Sequence, residues 1–417
     1  MWHVTIVLNW AFFAFAAFVL TRTLAGAVSK RLGIGIAICA AVSGLELLKT
    51  AIGAVRHIGE WDFLCFWLYG RAAVSHANVY APATYHAMLL PIATGADFRP
   101  EVLDVGFPYP PAAIWFMAPL GLTNIHVASA LWMVATLTAL IVSIVVLAKP
   151  IGWSGGAALA TLAFTLPATG ITISLQQTNF FALLAVVVAA TAAARSGLVA
   201  GIAAGVAAIV KPYLAVVPLW LALRRRWSAF VASVVTVSLA TVAAIPLLGP
   251  GGLTSFMHAN PATRMPASVF REPNNASLYA ALLRHGGAMG SYSGALHDPI
   301  FLTIAGLLGL GTLVLAITAS SEDGDLALGL LVAFGLIAYP GSGEAYAIVL
   351  LPAALALCKR LTPEQAAFAA LGATVFFAGN ITGGDGTLFA EVFIWLALGA
   401  TLIAERRAYA LRTIALA

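Results

Sequence analysis

A carboxylate set among large aromatic side chains is where this sequence first offers chemistry. Gly59-Glu-Trp-Asp-Phe-Leu-Cys-Phe-Trp-Leu-Tyr-Gly-Arg71 places Asp62 between two strongly apolar regions. A lone carboxylate in such surroundings is costly unless it has a partner or a task. Asp62 can act as a general base or orient an attacking hydroxyl. It can equally cap the apolar, helix-like run that follows, because Asp is a good N-cap. Tyr69 lies seven residues on and shares its helical face, whereas Glu60 points elsewhere. The polar interval that holds Asp62 closes at Phe107-Pro-Tyr-Pro-Pro111.

Other polar groups recur between apolar runs. Leu175-Gln-Gln-Thr-Asn179 holds amides that either line a cavity and satisfy broken backbone or tie helix to helix. Pro273-Asn-Asn-Ala-Ser277 begins like a capped helix. Glu344, in Ala338-Tyr-Pro-Gly-Ser-Gly-Glu-Ala-Tyr346, is a second carboxylate candidate or a solvated turn residue. Arg56, Arg71, Arg99, Arg264, Arg271 and Arg284 fall in or beside these intervals. They are ordinary surface charge or, as a group, a holder for an anionic ligand such as a lipid phosphate. His258, His285 and His297 lack metal-ligand spacing, and no phosphate loop, dinucleotide fingerprint or nucleophile elbow occurs. Glu46 and Lys49, three apart, read as a local ion pair facing the bundle interior.

The elements that must position these residues are membrane helices. Of the residues, 61% are hydrophobic and 9% charged, against about 25% charged in soluble domains. The net charge of +5 is no argument for nucleic acid, and none is expected as a partner. Spans need about 20 apolar residues. The pattern predicts helices near 3–20, 33–55, 123–148, 154–173, 179–194, 197–210, 212–223, 227–248, 299–318, 326–340, 345–358, 366–380 and 388–405, several of them too short to cross alone. The first run has its basic residues after it, unlike a signal peptide, and reads as a retained helix with its N-terminus outside.

Arg22, Lys30, Arg31, Lys149, Arg195, Arg224, Arg225, Arg226, Lys359, Arg360, Arg406, Arg407 and Arg412 fall on one side, cytoplasmic by the positive-inside rule. The intervals 56–111 and 249–298 then lie outside, within a single membrane domain over 1–417. Residues 196–226 are basic at both ends and break at Lys211-Pro212. Each half is roughly 20 Å long. That suits a hairpin of two short helices with Lys211 at its tip; a single long helix with a snorkelling lysine is the other reading.

Taken in order, these pieces resemble glycosyltransferase family 87, whose known members include polyprenol-phosphate-mannose-dependent mannosyltransferases. The likeness covers roughly residues 59–350. It rests on Asp62-Phe63 with Tyr69, Val79-Tyr80, Tyr109-Pro110-Pro111, Ala118-Pro119-Leu120, Gln177-x-Asn179, the hairpin with Gly201, Gly205 and Lys211, and Asn275-x-Ser277-Leu278. The resemblance implies an all-α polytopic membrane protein of the GT-C type, with about 11–13 transmembrane or re-entrant helices. It implies a donor made of a polyprenyl phosphate and a sugar, a glycolipid or glycan acceptor, reaction at the outer face of the cytoplasmic membrane and no cofactor. Asp62 takes the catalytic place. Tyr69, Arg71, Tyr109, Gln177, Asn179, Lys211, Arg264, Arg271, Asn275, Ser277 and Glu344 become candidates for substrate binding. One departure is that Tyr339–Tyr346 lacks the Trp and His of a Ser-Pro-x-Ser-Trp-x-His stretch found in many relatives.

On this reading Asp62 deprotonates the acceptor. Lys211, with Arg264 or Arg271, balances the departing phosphate. A transporter or flippase of a lipid-linked sugar is the alternative, favoured mainly by Glu46 and Lys49.

Overall fold

The computed structural model describes residues 2–58, 61–89, 104, 106–258, 270–286, 292–376 and 379–416. Among the described residues the regular elements are helical, apart from one isolated antiparallel bridge between Asn275 and Gly343. The chain is an all-α polytopic membrane protein.

Helices α1 (Trp2–Leu24) and α2 (Lys30–Arg56) open the chain. The first polar interval folds as α3 (Trp61–Val74), α4 (Pro82–Leu89) and a short α5 (Ile114–Met117) flanked by 3-10 turns at Pro111–Ala113 and Ala118–Leu122. Next come α6 (Ile125–Ala148), α7 (Gly152–Thr165), α8 (Pro167–Ser174), α9 (Asn179–Ala192), α10 (Gly197–Val210), α11 (Val216–Leu223) and α12 (Trp227–Ala244). The second polar interval contributes α13 (Gly252–His258), α14 (Leu278–Gly286) and α15 (Tyr292–Ala295). The rest comprises α16 (Pro299–Thr318), α17 (Gly324–Ala338), a 3-10 turn at Glu344–Leu350, α18 (Leu351–Cys358), α19 (Pro363–Phe376) and α20 (Gly379–Leu416).

Among the described residues, Lys30–Arg56, Ile125–Ala148, Trp227–Leu248, Pro299–Thr318 and Gly384–Ala408 are long and apolar enough to cross a bilayer. The run predicted at 154–173 is two helices bent by 60°. Leu166 is extended and Pro167 restarts the helix, as expected where proline removes a donor and restricts the residue before it. Local signals set several starts. Ser29, Asn124, Ser196 and Asp298 each accept a hydrogen bond from a free first-turn N–H.

Residues 196–226 form the hairpin. Lys211 is extended between α10 and Pro212. α10 and α11 pack on one another and both on α12. Gly197 lies against Ser228, so the two basic ends return to the same side. Gly201 and Gly205 make the close approach possible. A Cβ on Gly201 would stand 2.3 Å from the Ala229 carbonyl oxygen, and one on Gly205 would stand 2.9 Å from that of Ser233. Small residues at four-residue spacing let helix backbones meet in this way.

One expectation changes and one unassigned stretch gains a structure. Between Pro111 and the span predicted from 123 the sequence predicts no element. Pro111–Leu122 folds as a buried, kinked segment against α3, where a Cβ on Gly70 would meet the Met117 carbonyl oxygen at 2.2 Å. Its prolines and Gly121 hide helical periodicity from the sequence; contacts with Gly70 and Arg71 of α3 and with Ala240 of α12 organise it. Glu46 and Lys49 do pair, at 3.7 Å, but both side chains are exposed rather than turned to the interior. Their stems lie on the apolar outer face of α2 beside Leu45 and Leu48.

The main core joins α1, α7, α9, α10, α17 and α18. A second, aromatic core packs α3 against Tyr80, Tyr85, Phe107, Met117 and Trp132. It is this smaller core that fixes the direction of α3, and with it Asp62.

Candidate active site

Asp62 stands in the first turn of α3, where the helix dipole favours a negative charge. It is partly exposed, so it faces an opening, although protein surrounds it. Burial pushes its carboxyl above the usual carboxylate range; a hydrogen bond from Gln177 and the charge of Lys211 act in the opposite direction.

The central contact is an amide bridge. Gln177 Nε2 donates to Asp62 Oδ2 at 2.6 Å, and Lys211 Nζ donates to Gln177 Oε1 at 3.2 Å. A carboxylate only accepts and an ammonium only donates, so the two partners dictate which way the amide points. Lys211 is 1% exposed, and its Nζ also lies over the Tyr346 ring, 3.8 Å from the centroid. Tyr213, two residues after Lys211, stacks with Tyr346, their centroids 5.7 Å apart and planes 15° from parallel. Tyr339 packs against Tyr213 at the same separation.

The adjacent residue Gln176 aims Gln177. Gln176 has a positive φ of 52°, rare for a residue with a side chain. Its backbone carbonyl accepts from Trp132 Nε1 at 2.7 Å, its Oε1 accepts from Ser129 at 3.0 Å, and its Nε2 donates to the Ala54 carbonyl at 3.2 Å. These bonds to α2 and α6 hold the break between α8 and α9. Asn179 works behind the bridge. Its Nδ2 donates to Thr172 Oγ1 and to the Ala345 carbonyl, at 3.1 and 3.0 Å. It thereby anchors the turn that carries Tyr346.

Asn275 and Ser277 hold the same turn from the other side. Asn275 Nδ2 and Ser277 Oγ donate to the Pro340 carbonyl at 3.0 and 2.9 Å. Ala276 N–H donates to the Ser342 carbonyl at 2.7 Å, and Glu344 N–H to that of Asn274 at 3.0 Å. The second interval is therefore clamped on Tyr339–Tyr346, and Gly384 closes against it, with its N–H bonded to the Pro273 carbonyl.

The candidates thus divide. Asp62, Gln177 and Lys211 are linked in one chain of bonds. Tyr109 joins them from the first interval: it packs against Phe66 and Phe107 and lies within electrostatic reach of Asp62 and Tyr346. Glu344 is buried where its turn meets the second interval, within reach of the Arg284 charge, and its carboxylate makes no hydrogen bond with a described residue. Asn179, Asn275 and Ser277 brace the turn. Tyr69 is buried behind Asp62, edge-on to Tyr85 and Phe107. Arg71 donates to the Gly121 carbonyl at 3.1 Å and covers the Trp67 ring, away from the bridge. Arg271 is exposed and free of ion pairs to described residues. Arg264 lies outside the described residues.

Tyr213 and Tyr339 are not among the residues that the sequence singles out. Tyr213 has a signal, its place beside the proline of the hairpin tip; Tyr339, like Tyr346, flanks the Gly-Ser-Gly-Glu turn. Thr178 Oγ1, Asn179 Oδ1, Tyr213 hydroxyl and Ser342 Oγ are buried with no hydrogen-bond partner among the described residues. Thr178 and Asn179 directly follow Gln177, and Tyr213 and Ser342 belong to the elements that hold Tyr346; buried polar atoms without partners suit a polar ligand or water.

The family model described as Glycosyltransferase family 87 matches residues 107–340. No curated protein and no solved structure matches the chain. The matched span holds Tyr109, Gln177, Asn179, Lys211, Asn275 and Ser277, and Asp62 precedes it. The bridge between Asp62 and Lys211 therefore joins the matched span to the interval before it. With more than half of its length matched, this chain belongs to glycosyltransferase family 87.

Proposed function

We propose that this membrane glycosyltransferase moves a hexose from a polyprenyl-phosphate donor to a glycolipid or glycan acceptor, at the outer face of the cytoplasmic membrane. Mannose is the sugar we assign, by analogy with the family's best-known donors. The observation that carries the reading is the Asp62–Gln177–Lys211 bridge. It supplies an oriented carboxylate with an opening before it and a compensating cation behind it.

The acceptor hydroxyl oxygen attacks the anomeric carbon, and its proton passes to Asp62. The bond from that carbon to the phosphate oxygen breaks, and polyprenyl phosphate leaves with the electron pair. Phosphate is a good leaving group, so no strong general acid is required. The burial of Lys211 supports a positioning role: it steadies Gln177 and offsets the Asp62 charge. Arg271, exposed on the second interval, is the cation we assign to the leaving phosphate.

The prenyl chain has a place as well. An apolar groove of about 100 Å³ runs among α1, α7, α18, α19 and α20, lined by Phe13, Leu162, Ala347, Leu350 and Phe393. Ala347 and Leu350 belong to the same turn as Tyr346. The exposed setting of Glu46 and Lys49 removes the feature that favoured transport.

The test is an assay of purified protein with a polyprenyl-phosphate hexose and a glycolipid acceptor. Wild type should release polyprenyl phosphate as glycosylated product forms. Asp62→Asn should lower turnover by about 10²- to 10⁴-fold while the protein remains folded. Near-normal turnover in the variant would overturn the assignment of Asp62, and donor translocation without cleavage would favour a flippase.

A further inference from the structure

At the opposite, basic end of the bundle a second pocket opens between α16 and α20. It has a volume of about 310 Å³ and is lined by Leu315, Thr318, Leu402, Ile403, Arg406 and Arg407, among others. By the liquid share of one water, that is room for about ten waters, ample for a phosphodiester headgroup. Higher up, the two helices are tied by Trp395 Nε1 donating to Thr312 Oγ1 at 2.8 Å. Below that tie they leave the pocket between them.

The chemistry of its walls is divided. Leu315, Leu402 and Ile403 present apolar surface of the kind that meets acyl chains. Arg406 and Arg407 are exposed and form no ion pair or hydrogen bond with a described residue. The nearby cation Arg224 is spent differently, on the carbonyls of Ala319 and Ser320 at 3.0 and 2.7 Å. Glu405, beside the pair in sequence, forms no ion pair with a described residue either. Two adjacent guanidinium groups over an apolar cleft at the end of membrane helices are complementary to one ligand class. That class carries a phosphate anion on an aliphatic body.

We propose that this pocket is a site for an anionic phospholipid of the leaflet at the basic face, with its phosphate held by Arg406 and Arg407 and an acyl chain between α16 and α20. The lipid fills the gap between the two helices and neutralises a charge pair that the protein leaves unpaired. The site is separate from Asp62 and does not depend on the sugar-transfer reading.

Full-length protein, delipidated in detergent and then exposed to phosphatidylglycerol or phosphatidylcholine, tests this by native mass spectrometry. Wild type should retain phosphatidylglycerol preferentially. Arg406→Gln/Arg407→Gln should cut that retention about tenfold, whereas Lys30→Gln/Arg31→Gln, which removes two charges from the same face, should leave it unchanged. Ile403→Trp, which fills the pocket and keeps both arginines, should also expel the lipid and stands in should the arginine variant fail to fold. Equal retention of the two lipids by wild type would overturn the proposal. So would undiminished phosphatidylglycerol on the pocket variants, or displacement of phosphatidylglycerol by equimolar inorganic phosphate or polyprenyl phosphate.

Discussion

Lys211 and Tyr346, 135 positions apart in the chain, meet with the ammonium 3.8 Å from the ring centroid. The contact joins the tip of the α10–α11 hairpin to the turn that the second polar interval clamps. It also closes the far side of the amide bridge: the cation that steadies Gln177 is itself held by an aromatic face. Asp62 is therefore oriented by elements from four parts of the sequence, and each can be tested separately.

Gln177→Leu removes both bonds of the bridge while keeping the side chain's volume. Hydrogen bonds to charged groups contribute about 1.5–3 kcal/mol. Turnover should fall about tenfold to hundredfold, and the purified protein should melt at a lower temperature, because both charged groups lose their partner. Steady-state kinetics check this, and an unchanged rate would remove the bridge from the mechanism.

The pH dependence of transfer should follow Asp62. A base must be unprotonated, and burial raises this carboxyl above its ordinary value. Activity should therefore fall as pH drops through that raised pKa. Gln177 opposes the rise, so Gln177→Leu should move the acid limb to higher pH. A limb that stays in place in the variant contradicts the assignment.

Gly70→Ala should destabilise the outer aromatic core. Its Cβ would lie 2.2 Å from the Met117 carbonyl oxygen and 2.7 Å from the Gly121 nitrogen, both backbone atoms. Overpacking of this kind costs about 1–3 kcal/mol, and α3 must shift with Asp62 on it. A lower melting temperature and reduced transfer are expected together. Gly53→Ala, with open space around the new methyl, should show neither loss.

Asn275→Ala/Ser277→Ala removes the two side-chain donors to the Pro340 carbonyl. Neither residue needs to touch the sugar for the effect to appear. Each bond has a net worth of about 0.5–1.5 kcal/mol, so the Tyr339–Tyr346 turn should loosen and transfer should decline about tenfold. Proteolysis near 339–346 should accelerate in parallel; an unchanged cleavage rate with full activity would show that the clamp is dispensable.

Much of the helical plan was legible because hydrocarbon imposes simple demands. Long apolar runs, caps such as Asn124 and Asp298, and the break at Lys211-Pro212 are local signals, and the helices lie close to where those signals put them. Pro111–Leu122 escaped because its shape depends on Gly70, far away in sequence. Asp62, Gln177 and Lys211 could each be singled out by residue type, as polar groups where polarity is costly.

What the sequence determined by itself was the list of expensive groups: a carboxylate, an amide and an ammonium among apolar neighbours, each requiring a partner. Which group satisfies which was decided only in three dimensions. Gln176 had to take a left-handed backbone and brace on Ser129 and Ala54 before Gln177 could reach both charges. The orientation of Glu46 and Lys49 was decided in the same way, since three-residue spacing makes a pair on any helix face and only packing chooses the face. Pairing energies depend on distance and exposure, and neither quantity is written along the chain.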